Sequence, residues 1–162
     1  MPDIYSQVIV NEKLLAKLRN MPEEMKKQAR LTMLSVVLEC ERITKEKLTG
    51  PVLKVGMTGR LHTSIGSEVK GEGMDTVGRF GVMKQSGGKP LVYAAIHEFG
   101  GIIRPKVKKW LRFKTADGKW HMVKEVKMPE RSYIRSTAKE KLSWIIGRFS
   151  AMLTEMGVEL GK

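Results

Sequence analysis

Tyr93-Ala94-Ala95-Ile96-His97-Glu98-Phe99-Gly100-Gly101 lies midway along a chain of 162 residues, and its reading decides the fold. Tyr93, Ile96 and either Phe99 or Gly100 follow the i, i+3, i+7 spacing of a buried helical face. Gly100 and Gly101 end such a helix, because glycine accepts the left-handed backbone of a C-terminal cap. Basic, strand-like sequence starts immediately afterwards. The stretch predicts a short apolar helix packed against a sheet, with His97 and Glu98 on its rim.

On its N-terminal side, Asn11 suits the cap of a short helix, Glu12 to Arg19, and Pro22 opens a longer one, about Pro22 to Leu48. Met25, Ala29, Met33, Val36, Val37, Cys40, Ile43 and Leu48 recur there in steps of three and four, which makes one apolar stripe. Gly50-Pro51 breaks the helix, and residues 50–59 read as a loop. From Thr63 the period falls to two. Ile65 and Val69 alternate with polar residues, Gly71-Glu72-Gly73 turns the chain, and a second strand runs from about Asp75 to Met83. Residues 84–90, K-Q-S-G-G-K-P, form a polar, glycine-rich connection.

On its C-terminal side, Lys109 to Thr115 reads as a strand with Leu111 and Phe113 on one face. Ala116-Asp117-Gly118 is a turn signal, and Trp120, Met122 and Val126 alternate along the returning strand. Pro129 ends that strand because it has no N–H for a ladder. A last helix, about Tyr133 to Met156, aligns Ile134, Ala138, Leu142, Ile145, Phe149, Met152, Leu153 and Met156. The expected class is α+β: an antiparallel sheet of about four strands (two hairpins) against two long helices, with short accessory helices. The length fits a single domain, 1–162, with residues 1–20 as an N-terminal extension and 22–156 as the core.

Thirty Lys and Arg stand against 17 Asp and Glu, a net charge of +13 that favours polyanions or acidic protein surfaces as partners. Cys40 is the one cysteine, which excludes an internal disulfide and a cysteine zinc site. Asp3, Glu12 and Lys13 among few apolar residues do not make a signal peptide, and no apolar run nears the ~20 residues that span a bilayer. The expectation is a soluble protein from a reducing compartment, with no membrane partner.

Little in the chain points to catalysis. His97-Glu98 begins an H-E-x-x-H zinc motif, but Gly101 stands where the second histidine belongs. His62 and His121 lie on other elements without ligand spacing. Cys40 falls on an apolar stripe, where packing explains it, and no pair of carboxylates is marked for acid–base work. The expectation is a non-enzyme with no cofactor and no metal. Arg104, Lys106, Lys108, Lys109, Arg112 and Lys114 form the strongest electrostatic feature, interleaved by Trp110 and Phe113. That pattern serves nucleic acid through phosphate contacts and stacking, or else is a solvated strand face whose aromatics point into the core.

Three stretches taken together resemble one family. They are T-G-R-L-H-T-S-I at Thr58 to Ile65, Y-A-A-I-H-E-F-G-G at Tyr93 to Gly101, and M-P-E-R-S-Y-I-R-S at Met128 to Ser136. Their order resembles the tail-completion or head–tail joining proteins of long-tailed bacteriophages, also called neck, minor tail or virion-morphogenesis proteins. The similarity spans roughly residues 22 to 150. The family's third motif commonly reads I-P-A-R-P-F-L-R; Pro129, Arg131 and Arg135 match it, while Met128, Glu130, Ser132, Tyr133 and Ile134 depart.

The resemblance implies structural work at the neck of a virion, as a subunit of a homo-oligomeric ring beside other connector and tail proteins; contact of the basic face with packaged DNA is left open by it. It implies synthesis in the bacterial host cytoplasm and a final place at the head–tail junction or tail end. Arg60, Leu61, Tyr93, His97, Glu98, Phe99, Gly100, Gly101, Pro129 and Arg131 are then the signature and assembly residues. The function class set against it is a basic nucleic-acid-binding protein that uses the Arg104 to Lys114 surface.

Overall fold

The structure, a computed structural model, describes residues 5–8, 23–49, 59–71, 76–83, 92–115 and 117–157. The short helix expected at 12–19 and the connection at 84–90 lie outside them, as does most of the loop expected at 50–59.

Helix α1, Glu23–Thr49, opens on Glu23 and Glu24 and carries Lys47 in its last turn, charges that complement its dipole. Met33, Val36, Val37, Cys40, Thr44 and Leu48 form its buried face. Thr44 spends its hydroxyl on the Cys40 carbonyl at 2.7 Å, so the one polar member of the stripe is satisfied. Burial pushes the Cys40 thiol up to about 11, as packing rather than reactivity requires.

The two strands of the first hairpin pair as expected, while residues 72–75, which hold most of its expected turn and the start of its second strand, lie outside the described residues. Strand β2, Ile65–Lys70, follows directly on the short helix α2, Arg60–Ser64, and pairs antiparallel with β3, Val77–Val82. An additional strand, β1, Tyr5–Val8, pairs with the other side of β3, giving a three-stranded sheet in the order β1-β3-β2. Helix α1 lies on this sheet at very short range. A Cβ on Gly78 would meet Met33 Sδ at 2.5 Å and Val37 Cγ1 at 2.6 Å, so only glycine lets helix and strand approach this closely.

The single four-stranded sheet does not form. Helix α3, Val92–Phe99, leads into β4, Gly101–Ile103, which pairs with β7, Val126–Met128. Between them, β5, Leu111–Lys114, pairs with β6, Trp120–Val123. These four strands make two separate two-stranded ladders along one arm, residues 101–128. β1 already occupies one edge of the first sheet, and lysine and arginine along β5 resist pairing with a further strand.

Helix α4, Ile134–Glu155, runs antiparallel to α1. Lys47 reaches Ser136 and Glu140 at 2.8 Å near one end, and Ala29 packs against Met152 and Leu153 near the other. Two stripe assignments change. Leu142 is exposed, and Thr137 is buried with its hydroxyl on the Tyr133 carbonyl at 2.7 Å. The main core joins Val36 and Cys40 of α1 to Leu61, Phe80, Ala94, Tyr133 and Ile134.

Candidate assembly junction and basic arm

Four backbone N–H groups at the start of any α-helix lack intrahelical partners. At α4 three of them are met from another helix, and the fourth, the Ser136 N–H, donates to the Ser132 hydroxyl at 3.2 Å. Glu98 is 0% exposed, and its Oε2 accepts from the Tyr133 and Ile134 N–H groups at 2.9 Å. Oε1 accepts from the Arg135 N–H at 2.9 Å, the Ser132 hydroxyl at 3.1 Å and Arg135 Nε at 3.2 Å. A buried carboxylate is costly unless its lone pairs are used, and here five donors use them. Tyr133, at the N-cap position, offers no capping side chain of its own, so the cap is tertiary.

This corrects the expected geometry of α3. Its buried positions are Ala94 and Glu98, four residues apart, whereas Tyr93 and Phe99 are exposed and Ile96 is half-buried. Glu98 leaves the rim because α4 needs an anion at its N-terminus. Phe99 instead lies under the Arg135 guanidinium, 4.6 Å from ring centroid to Cζ. That same guanidinium donates to Glu130 Oε1 at 2.6 Å and to the Glu98 carbonyl at 3.2 Å.

The two glycines close the junction. Gly100 has φ +70, and a Cβ there would stand 2.8 Å from the Glu130 nitrogen and 3.1 Å from the Met128 carbonyl oxygen. Gly101 pairs with Met128 in the β4–β7 ladder, and the Arg131 N–H donates to the His97 carbonyl at 2.9 Å. His97 is half-buried against Tyr93, ring centroids 6.4 Å apart. Burial, then the charge of Arg131, holds its imidazole below the ordinary range. Its Nδ1 is buried without a hydrogen-bond partner among the described residues.

Of the remaining signature residues, Leu61 is buried in the same core as Ala94 and Tyr133. Arg60, Pro129 and Arg131 are exposed, and neither arginine has an ion pair among the described residues. No group of three His, Cys, Asp or Glu side chains comes together among the described residues to hold a metal. Nor is any helix there long and apolar enough to cross a membrane.

The basic cluster maps onto the arm, and its aromatics do not enter the core. In the β5–β6 ladder Arg112 pairs with Met122 and Lys114 with Trp120, so these four share one face. Trp120 is 60% and Met122 62% exposed. Arg112 lies over the Trp120 ring at 4.4 Å, and Lys124 over Trp110 at 5.4 Å. On the opposite face Leu111 pairs with Val123, and Phe113 stacks on His121 at 5.8 Å. Arg104, at the root, is paired with Glu125 at 3.0 Å, while Lys106, Lys108 and Lys109 are exposed along the bend before β5.

The returning strand's share, Trp120, Met122 and Lys124, was outside the expected surface. Its signal is the shared period of two, R-x-K on one strand and W-x-M on the other. Also unforeseen, Leu31, Leu34 and Leu38 of α1 are 48%, 42% and 51% exposed in steps of three and four. Leu142 and Ile146 of α4 are exposed likewise.

No family model, curated protein or solved structure matches this chain.

Proposed function

We propose that this chain is a non-enzymatic structural component of a bacteriophage virion, acting in tail completion or head–tail joining at the neck as one subunit of a ring. One observation carries the reading. The three stretches behind the family resemblance are far apart in sequence yet meet in space. Leu61 and Ile65 from the first share a core with Ala94 from the second and Tyr133 and Ile134 from the third. Glu98 and Gly100 then bind the second stretch to the third through the helix cap and the Glu130 backbone. That convergence supports reading the three stretches as one unit.

The surface also suits assembly. A closed ring needs two different patches that meet head to tail. The subunit offers leucines on α1 and further apolar side chains on α4. Its partners on this reading are further copies of itself and neighbouring connector and tail proteins, after synthesis in the host cytoplasm.

Electron microscopy of lysates tests it. A phage or prophage deleted for this gene is expected to release filled heads beside unattached or abnormal tails, rescued when the protein is supplied. Normal joined particles from the deletion would overturn the reading.

A further inference from the structure

We propose that the arm, residues 101–128, binds double-stranded DNA through its phosphates, using the face of the terminal hairpin that carries Arg112 and Lys114, with Lys124 beside it. The inference goes beyond ring assembly and stands on the arm alone.

Charge identifies the partner. The arm holds nine Lys and Arg against two acidic residues, so 28 of 162 residues supply seven of the thirteen excess positive charges. All nine basic side chains are exposed, and among the described residues Arg104 alone of them is in an ion pair. The rest of the chain is itself net positive by six, so a second copy meets the arm as a like-charged body. A surface this basic and this poor in internal neutralisation is matched by a polyanion.

Geometry selects a duplex. Arg112 lies over one face of Trp120 and Lys124 over one face of Trp110, so on those faces a cation rather than an aromatic ring meets the partner. Arg112 and Lys114 are two residues apart on one strand, about 7 Å, within reach of neighbouring phosphates on one DNA strand. A two-stranded antiparallel ribbon is also a shape the major groove admits. The arm contains no Asn or Gln to read adenine, and its cations are assigned to phosphates, which carry no sequence information, so binding is expected to be sequence-independent.

Fluorescence polarisation with two labelled 20-base-pair duplexes of unrelated sequence tests this on the full chain. Both are expected to bind within about twofold of each other, and affinity is expected to fall at least about tenfold from 50 to 200 mM salt. Arg112→Ala/Lys114→Ala/Lys124→Ala should lose at least about tenfold in affinity at 50 mM and flatten the log–log salt slope by about three. Lys27→Ala/Lys139→Ala/Arg148→Ala removes equal charge from exposed positions on α1 and α4 and should bind as wild type. Equal losses in both triple variants, or no duplex binding at 50 mM salt, would overturn the proposal. So would tighter binding to a single strand of the same length, or binding to anionic vesicles in place of DNA.

Discussion

Tyr133 is tied to the helix that carries Glu98 at two points. The Tyr133 N–H donates to Glu98 Oε2 at 2.9 Å, and the Tyr133 hydroxyl donates to the carbonyl of Ala94, one turn earlier on the same helix, at 3.1 Å. Both residues are 0% exposed. Burial, then the Glu98 charge, keeps the phenol protonated far above its ordinary range, so it remains a donor. The short helix and the long C-terminal helix are therefore fixed in both distance and rotation.

Removing the carboxylate should expose that dependence. Glu98→Ala leaves the Tyr133, Ile134 and Arg135 N–H groups without their acceptor and should cost about 3 kcal/mol in urea unfolding. Glu98→Gln keeps one acceptor oxygen and should cost less. Arg135 is 49% exposed, so Arg135→Ala should cost under about 1 kcal/mol. An Arg135→Ala loss as large as that of Glu98→Ala would mean the ion pair, and not the helix cap, holds the junction.

Gly100→Ala meets two obstacles at once, a positive φ and a Cβ driven into the Glu130 backbone. A loss of about 2–4 kcal/mol is expected. Gly147 supplies the contrast: it is helical, with nothing within 4 Å of its added Cβ. Gly147→Ala should raise stability by about 0.5–1 kcal/mol. Thermal unfolding of the two variants in parallel checks both signs.

The long helices were legible because their signal is local. Met33, Val36, Val37, Cys40 and Leu48 repeat at helical spacing, and that stripe is buried. The turn at Gly118 was legible too, with φ +82 and its N–H on the Thr115 carbonyl at 2.9 Å. Glu98 was not, because its partners lie 34–37 residues away and a lone carboxylate in an apolar turn reads as surface. β1 was missed for a similar reason: four residues carry little periodicity, and their strand character comes from β3. The arm's two ladders escaped because the bend at Lys124 splits the one expected returning strand into β6 and β7, and β4 is only three residues long. The α1 leucines follow helical spacing as well, but on a side that the apolar stripe had already outvoted.

His97 makes stability depend on pH in one direction. Its folded pKa lies below the ordinary ~6.5, so the unfolded chain binds more protons between the two values. Its contribution is full above about pH 6.5 and is lost as pH falls through the folded pKa. Wild type should lose melting temperature between pH 7 and 5 by more than His97→Gln does. Parallel curves for the two proteins would remove His97 as the cause.

On the ring reading, the exposed leucines of α1 are buried between subunits. Leu34→Glu/Leu38→Glu should leave the melting temperature of the monomer within about 2 °C, because these side chains are already exposed. Assembly, followed by mass photometry at rising concentration, should fail. Rings that form as in wild type would assign the subunit contact to another surface.

The arm leaves the body through two short strands that end on the bracket formed by Gly100, Glu130 and Arg131. Tension applied near Trp120 therefore runs down both root strands side by side and reaches the N-terminus of α4 through the Glu98 cap. The connection is built less as a tether than as a bracket: a pull on the fingertip of this domain is borne at the start of its C-terminal helix.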